Sequence, residues 1–318
     1  DRTKSRGLGD VYKRQGLCGA QLHEIRGHRG NEKFLPHLMG HEGCGIVKEI
    51  GPGVTTVKEG DKVVMHWRPG SGIESEFPKY HLGEKIISSG KCTTLSEFSI
   101  VSENRLTKVP HDTPTVLAAM LGCSLTTALG IIDNECNLKF GESVAVIGCG
   151  GVGLNLIQAA KMKSAYPVYG VDINDKMFDL THQIGVDIFT CDLEFIPEKV
   201  DVILDTTGVP EVISKAFDKL APSGRLIMVG QPAPGTDLNI FNPLSMFDGQ
   251  GKSIRASQGG GTKPDEDIPR YIKLANREML DFNTLHTDTF ALDNINDAFD
   301  LLKTGNAGRI IIKIGEDD

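Results

Sequence analysis

A chain of 318 residues is long enough for two domains with a substantial core, and 39% hydrophobic with 24% charged residues is an ordinary globular composition. A net charge of -8 and a sequence pI of about 5.6 argue against nucleic acid or an anionic membrane as the main partner. No apolar run approaches the ~18 residues of a transmembrane span, and no signal-peptide pattern opens the chain. The seven cysteines, an odd number spread from Cys18 to Cys191, do not form a disulfide framework, and a reducing cytoplasm fits them better.

Residues 1–15, DRTKSRGLGDVYKRQ, are basic and carry neither a strand nor a helix period. They read as a tail unrelated to the fold, similar to translated junction sequence, rather than as a basic arm for an acidic partner. On that reading the genuine start of the protein is missing. From Gly16 the chain carries chemistry: Cys18 and His23 in GLCGAQLHEIRG, then His41 and Glu42 ahead of a strand and a Gly-Pro-Gly turn. A strand is expected at 62–66, a long polar loop at 67–91 and another strand at 94–101. Short strands joined by glycine turns predict a mostly β unit.

Residues 115–134 read as one helical stretch containing Cys123. After it comes SVAVIGCGGVGLNLIQAAKMKSAYPVYGVDIN, from Ser143 to Asn174. The apolar run 144–147 predicts a strand buried in a parallel sheet. Gly148, Gly150 and Gly153 have the spacing G-x-G-x-x-G, with Gly151 and Val152 inside it. These glycines allow a tight turn, backbone approach to a pyrophosphate, and close packing of helix on strand. The following helix offers its unpaired N–H groups to the phosphates. Asp172 closes the second strand, where a carboxylate meets a ribose 2′-hydroxyl. Helices at 176–184 and 210–220 alternate with strands at 200–205, 224–230 and 253–257, which predicts a doubly wound parallel sheet. Gly259-Gly260-Gly261 with Pro264 marks a boundary. Helices follow at 268–279 and 294–303, the second N-capped by Asp293 and stopped by Gly305, before a closing strand at 309–314.

Cys18, His41 and Cys123 are candidate zinc ligands. Their spacing is too wide for a zinc finger, so only the tertiary fold could bring them together. Three protein ligands with an open fourth position describe a catalytic zinc. Taken singly, each residue reads as readily as a buried core side chain.

Gly40-His41-Glu42-Gly43-Cys44-Gly45, followed by Gly51 and Val54, resembles the zinc signature of the zinc-containing medium-chain alcohol dehydrogenases. LGCSLTTALG around Cys123 resembles the segment of that family's third ligand. The likeness covers residues 16–314. Two cysteines and a histidine are the donor set already known for alcohol dehydrogenases, so that agreement carries no independent weight. The resemblance implies a zinc on Cys18, His41 and Cys123, with Glu42 as a neighbouring or alternating ligand. It implies an α/β architecture, with a Rossmann doubly wound sheet (126–258) inserted into a mostly β, GroES-like catalytic domain (16–125 and 259–318). The expected activity is zinc-dependent hydride transfer between NAD and an alcohol, aldehyde or ketone.

The cofactor contacts carry over by position. Asp172 matches the ribose acid and favours NAD over NADP, because a carboxylate repels a 2′-phosphate. Lys176 matches a lysine near the adenosine ribose. Thr206 and Gly208 match the turn beside the nicotinamide, and Gly230 and Gln231 the edge that reads its carboxamide. Arg309 matches a pyrophosphate-binding arginine. The resemblance also implies a cytoplasmic homodimer or homotetramer.

Three departures stand out. Ala20 replaces the hydroxyl residue that begins the family's proton relay, and Gln21 replaces an aspartate that orients the zinc histidine, while His23 keeps the far end of the relay. The loop at 67–91 has no cysteine, so a second, structural zinc is not expected. The chain before Cys18 is shorter than the family's, which predicts exposed sheet edge and apolar surface. The rival readings are a zinc-free quinone or enoyl reductase of the same superfamily, and a catalytically impaired NAD-binding protein.

Overall fold

A computed structural model describes residues 13–27, 35–196, 199–240 and 242–315. The first twelve residues of the tail therefore lie outside the described residues.

Two six-stranded sheets organise the chain. The first combines β1 (Lys13–Gly16), β2 (Glu42–Ile46), β3 (Lys62–His66) and β6 (Leu106–Lys108) with the late strands β13 (His286–Ala291) and β14 (Arg309–Ile314), in the order β13-β14-β1-β2-β3-β6. Its pairs are antiparallel except β13 with β14. A separate hairpin, β4 (Lys79–Leu82) with β5 (Lys85–Ser88), occupies the predicted 67–91 loop. The second sheet holds β7 (Val144–Ile147), β8 (Val168–Val171), β9 (Ile188–Thr190), β10 (Val200–Asp205), β11 (Leu220–Met228) and β12 (Ser253–Ala256), all parallel, in the order β12-β11-β10-β7-β8-β9. Counted within that sheet, this is the doubly wound order 3-2-1-4-5-6, in which the order of strands reverses at the crevice between β7 and β10.

The apolar pattern explains the second sheet. Every residue of β7 and β8 is buried, as a parallel strand covered on both faces requires. Helices α4 (Gly151–Met162), α5 (Phe178–Gln183) and α6 (Pro210–Asp218) make the crossovers, and Pro210 opens α6 where a missing N–H costs nothing. Between the sheets run α2 (Thr115–Met120) and α3 (Ser124–Gly130), the latter relaxing into a π turn over Ile131–Glu135. One core spans both units, from Cys44 and Val64 through Leu117 and Leu125 to Val146 and Leu154. A second cluster joins α1 (Gly19–Ile25) to α9 (Ile295–Thr304), through Leu22 and Phe299 over Ile310 and Ile312. Two further helices, α7 (Pro264–Ala275) and α8 (Phe282–Leu285), complete the return to the first sheet.

Several expectations need correction. The tail does not end at residue 15: Lys13, Arg14 and Gln15 belong to β1, an inner strand between β14 and β2. The backbone supplies that pairing whatever the side chains are, so a hydrophobicity pattern misses it. The consequence is burial of polar groups. Gln15 is fully buried with its Oε1 unpaired, and Lys13 sends Nζ to the Ser96 carbonyl and Ser99 Oγ, both at 2.6 Å. Residues 94–101 form no strand, and β13, whose residues alternate in burial, was not anticipated. The helical stretch 115–134 breaks at Leu121–Cys123, because Cys123 takes a non-helical conformation as the N-cap of α3. The last helix is capped by Asn294 after a 3-10 turn, not by Asp293, and ends as expected at Gly305, with φ 69°.

Burial pushes the Lys13 ammonium down to about 8. An unfolded lysine keeps its proton to about pH 10.4. Between those values the unfolded chain binds more protons than the folded one, so stability should rise with pH. Thermal midpoints measured from pH 7.5 to 10 should climb more steeply for the wild type than for Lys13→Met; parallel curves would contradict this.

Candidate metal and dinucleotide site

The metal donors come from three local structures. Cys18 is the N-cap of α1, just after β1, and its N–H donates to Gln21 Oε1 at 2.8 Å. His41 immediately precedes β2. Cys123 is the N-cap of α3, and the helix break turns it away from the α2–α3 line. The ligand atoms of all three lie within 4.8 Å of one another, the one such group among the described residues. Cys18 and Cys123 are buried and His41 is half-buried. A hydrogen bond from Cys123 outweighs burial and, with His41, holds the Cys18 thiol well below its ordinary pKa. The same bond, with burial, pushes Cys123 well above it. Burial is the largest influence on His41 and lowers it, but the hydrogen bond and charge of Cys18 with the Glu42 and Glu24 carboxylates together make the net shift upward. Two soft sulfurs and an imidazole in one tight group fit a zinc ion.

Glu42 is not one of the converging donors. It is fully buried beside them, with Oε1 accepting from Arg309 Nη2 and Oε2 from the Ser124 N–H at 3.3 Å. Burial raises its carboxyl pKa, against the pull of the guanidinium. Gln21 spends its oxygen on the Cys18 N–H, and its buried Nε2 has no partner. It therefore braces the cysteine loop where an acid was expected to orient the histidine.

The other half of the site lies at the reversal point between β7 and β10. Gly148 has φ +85°, and a Cβ there would meet Thr206 Oγ1 at 2.3 Å. A Cβ on Gly153 would stand 1.9 Å from the Gly148 carbonyl, so α4 and the turn after β7 require glycine at that position. Gly150 faces open space, as a position approached by a phosphate must. Gly151 lies against Arg309, whose buried Nε has no partner. An anion above this turn would supply one. Asp172 immediately follows β8, with its carboxylate held by the N–H groups of Cys149 (2.7 Å) and Asn174 (2.9 Å). Lys176 is exposed on the turn that follows. Thr206 Oγ1 donates to the carbonyls of Ile147 and Gly148, joining the two strand ends. Gly208 and Gly230 touch backbone to backbone.

A cleft of about 340 Å3 joins the halves. Its walls include Cys18, His41 and Cys123 on one side and Val152, Thr206 and Gly230 on the other. Ala20, His23 and Gln231 also line it, as does Trp67, the residue after β3. Sequence reasoning missed Thr127, Gln258 and Gly259, which also line it. Thr127 lies in the segment around Cys123 and Gly259 in the triple-glycine boundary, but nothing in either pattern points to the cleft, and only the packing of α3 against the 258–262 turn brings them in.

Two family models match the chain: "Alcohol dehydrogenase GroES-like domain" over residues 12–111 and "Zinc-binding dehydrogenase" over residues 151–277. Alcohol dehydrogenase 6 of Peromyscus maniculatus is 30% identical, over 93% of this chain and 88% of the relative. The chain belongs to the zinc-type medium-chain alcohol dehydrogenases. S-(hydroxymethyl)glutathione dehydrogenase of Escherichia coli O139:H28 (strain E24377A / ETEC) is 29% identical, over 94% of this chain and 90% of the relative. The crystal structure of benzyl alcohol dehydrogenase from Acinetobacter calcoaceticus superposes with a TM-score of 0.81 at 27% identity, covering 97% of this chain and 93% of that one. The family accounts for the GroES-like first sheet, the Rossmann second sheet and the Cys-His-Cys group. The protein is a zinc-dependent oxidoreductase acting on alcohols or their carbonyl products. No helix among the described residues is long and apolar enough to cross a membrane.

The other cysteines stand outside this group, and all but Cys191 are buried. Burial pushes the Cys44, Cys92 and Cys136 thiols up to about 12, far from the thiolate that binds metal. Metal analysis of the purified protein should therefore find about one zinc per chain, and Cys123→Ser or His41→Ala should lose most of it. Two zinc ions per chain would contradict this assignment.

Proposed function

We propose that this chain catalyses reversible hydride transfer between an alcohol and NAD, with one zinc held by Cys18, His41 and Cys123. The observation that carries this reading is the convergence of those donors in the same cleft as Val152, Thr206 and Gly230. When bound, the ion supplies Lewis acidity to an alcohol or carbonyl oxygen, and the nicotinamide supplies the hydride acceptor.

The chain's own residues bind and orient. Gly148, Gly150, Gly151, Val152 and Gly153 let the start of α4 approach the pyrophosphate, with Arg309 beside them. Asp172 accepts the adenosine ribose hydroxyls, with Lys176 nearby, and its charge disfavours a 2′-phosphate. Thr206 and Gly208 border the nicotinamide, while Gly230 and Gln231 offer backbone to its carboxamide. Glu42, anchored by Arg309, stands as the carboxylate next to the three donors. Residues 13–125 with 259–315 would form the substrate half and 126–258 the cofactor half.

Proton transfer falls to the His23 ring. Ala20 offers no hydroxyl, so water must bridge from the substrate oxygen to His23. That gap is what favours the second reading, a chain that binds NAD without turning over. A zinc-free reductase would leave the Cys-His-Cys group without a use. We also assign the protein to the cytoplasm, as a homodimer or homotetramer; seven cysteines without a disulfide support a reducing compartment.

An alcohol panel followed by NADH absorbance tests the activity, and NAD binding without turnover in the zinc-loaded protein would favour the second reading. Asp172→Ala should cut the preference for NAD over NADP by roughly 10- to 100-fold, the loss of a charged hydrogen bond; an unchanged ratio of kcat/KM would remove Asp172 from the site. His23→Gln should shift or abolish the acid limb of the pH–rate profile of alcohol oxidation, where a protonated His23 could no longer accept the proton, and an untouched profile would rule out the water-bridged route.

A further inference from the structure

Trp67 is the single tryptophan in the sequence, and it lines the cleft beside the metal donors. Its neighbour Arg68 has no part in the chemistry above, yet its side chain is heavily engaged. Nε donates to the Thr262 carbonyl at 3.0 Å, and Nη1 to the carbonyl of Gln258. Those carbonyls bracket a turn in which Gly259, Gly260 and Gly261 have φ values of +69°, +67° and +61°. Three consecutive left-handed residues are open to glycine alone. The turn has one backbone bond of its own, from the Thr262 N–H to the Gly259 carbonyl at 3.4 Å. From outside it is held by Arg68 and by Asn134, whose Nδ2 donates to Gly260 at 2.9 Å.

The indole packs against this turn. A Cβ on Gly259 would lie 2.6 Å from Trp67 Cζ2 and 2.7 Å from Arg68 Cδ. The Arg68 guanidinium carbon stands 5.6 Å from the ring centroid. The backbone around Trp67 is already fixed: its carbonyl accepts from Arg105 Nη1, and the Arg68 carbonyl is bonded to His66 Nδ1 at 2.7 Å. The freedom left to the ring is therefore toward the glycine turn, and Arg68 closes it.

We propose that Arg68 is a positioning residue: it ties the 258–262 turn to the end of β3 and so fixes the Trp67 indole as a rigid cleft wall that excludes bulky substrates. The substrate half of this rests on the proposed function. The nicotinamide end of the cofactor and the substrate would share a cleft of about 340 Å3 that the indole borders, so the position of the ring sets the width left for the substrate. Releasing the ring relaxes that limit.

The test uses the zinc-loaded full chain and two variants, Arg68→Ala and Arg68→Lys. Intrinsic fluorescence, excited at the red edge where the five tyrosines do not absorb, reports on Trp67 alone. Arg68→Ala should shift the emission to the red and raise acrylamide quenching by about twofold. The ratio of kcat/KM for benzyl alcohol to that for ethanol should rise by about tenfold, the scale on which pocket contacts discriminate, with kcat on ethanol within about twofold. Arg68→Lys, which keeps the charge but lacks the planar guanidinium that spans the two carbonyls from separate nitrogens, should fall between. A merely structural role would scale both alcohols equally, so an unchanged ratio, or unchanged quenching, overturns the proposal. If Arg68→Ala does not fold, Arg68→Lys decides by the same two readings. If neither alcohol is turned over, the proposed function fails, and the quenching comparison still decides whether Arg68 fixes the ring.

Discussion

One buried ion pair joins the parts on which the site depends. Arg309 opens β14, near the end of the chain, and meets Glu42 at the start of β2. Removing either charge alone would strand the other in a dry interior, at a cost of several kcal/mol. The pair is also a spatial junction. Glu42 follows His41 directly and accepts from Ser124, the residue after Cys123. Arg309 lies against Gly151, in the turn that opens α4. Metal donors and cofactor turn are thus referred to one fixed point.

The glycines around that point follow from it. A Cβ on Gly16 would come within 2.6 Å of both Glu42 and Arg309, and one on Gly122 within 2.8 Å of Glu42. Each flanks a metal cysteine: Gly16 lies two residues before Cys18, and Gly122 immediately before Cys123. The backbone that carries the donors can approach the ion pair closely because side chains are absent there. The Cys-His-Cys group and the turn that opens α4 are therefore both packed against this ion pair, although they belong to different parts of the fold.

The chemistry of the cleft is divided in the same way. The second sheet contributes mostly backbone and small groups at the reversal between β7 and β10, suited to a flat cofactor lying along strand ends. The first contributes the titratable groups: two cysteines, His41, His23 and Glu42. Where this chain departs from its family, at Ala20 and Gln21, the changes lie in the first group. Binding of the dinucleotide is insulated from them, and proton transfer is not.

Local signals determined much of this protein. The period of apolar residues and the G-x-G-x-x-G turn specified the parallel sheet, because fully buried parallel strands and close helix–strand contact leave a readable pattern. The His41-Glu42 segment and Cys123 named the metal donors through family likeness; their spacing in the chain did not. The tertiary structure decided the rest. It made Lys13–Gly16 an inner strand despite its polar side chains, because backbone pairing ignores side-chain polarity. It set Glu42 on Arg309 rather than among the donors, and brought Trp67 and the 258–262 turn to the same cleft wall. Contacts between residues some 190 or more positions apart have no local signature, and only the packed fold decides them.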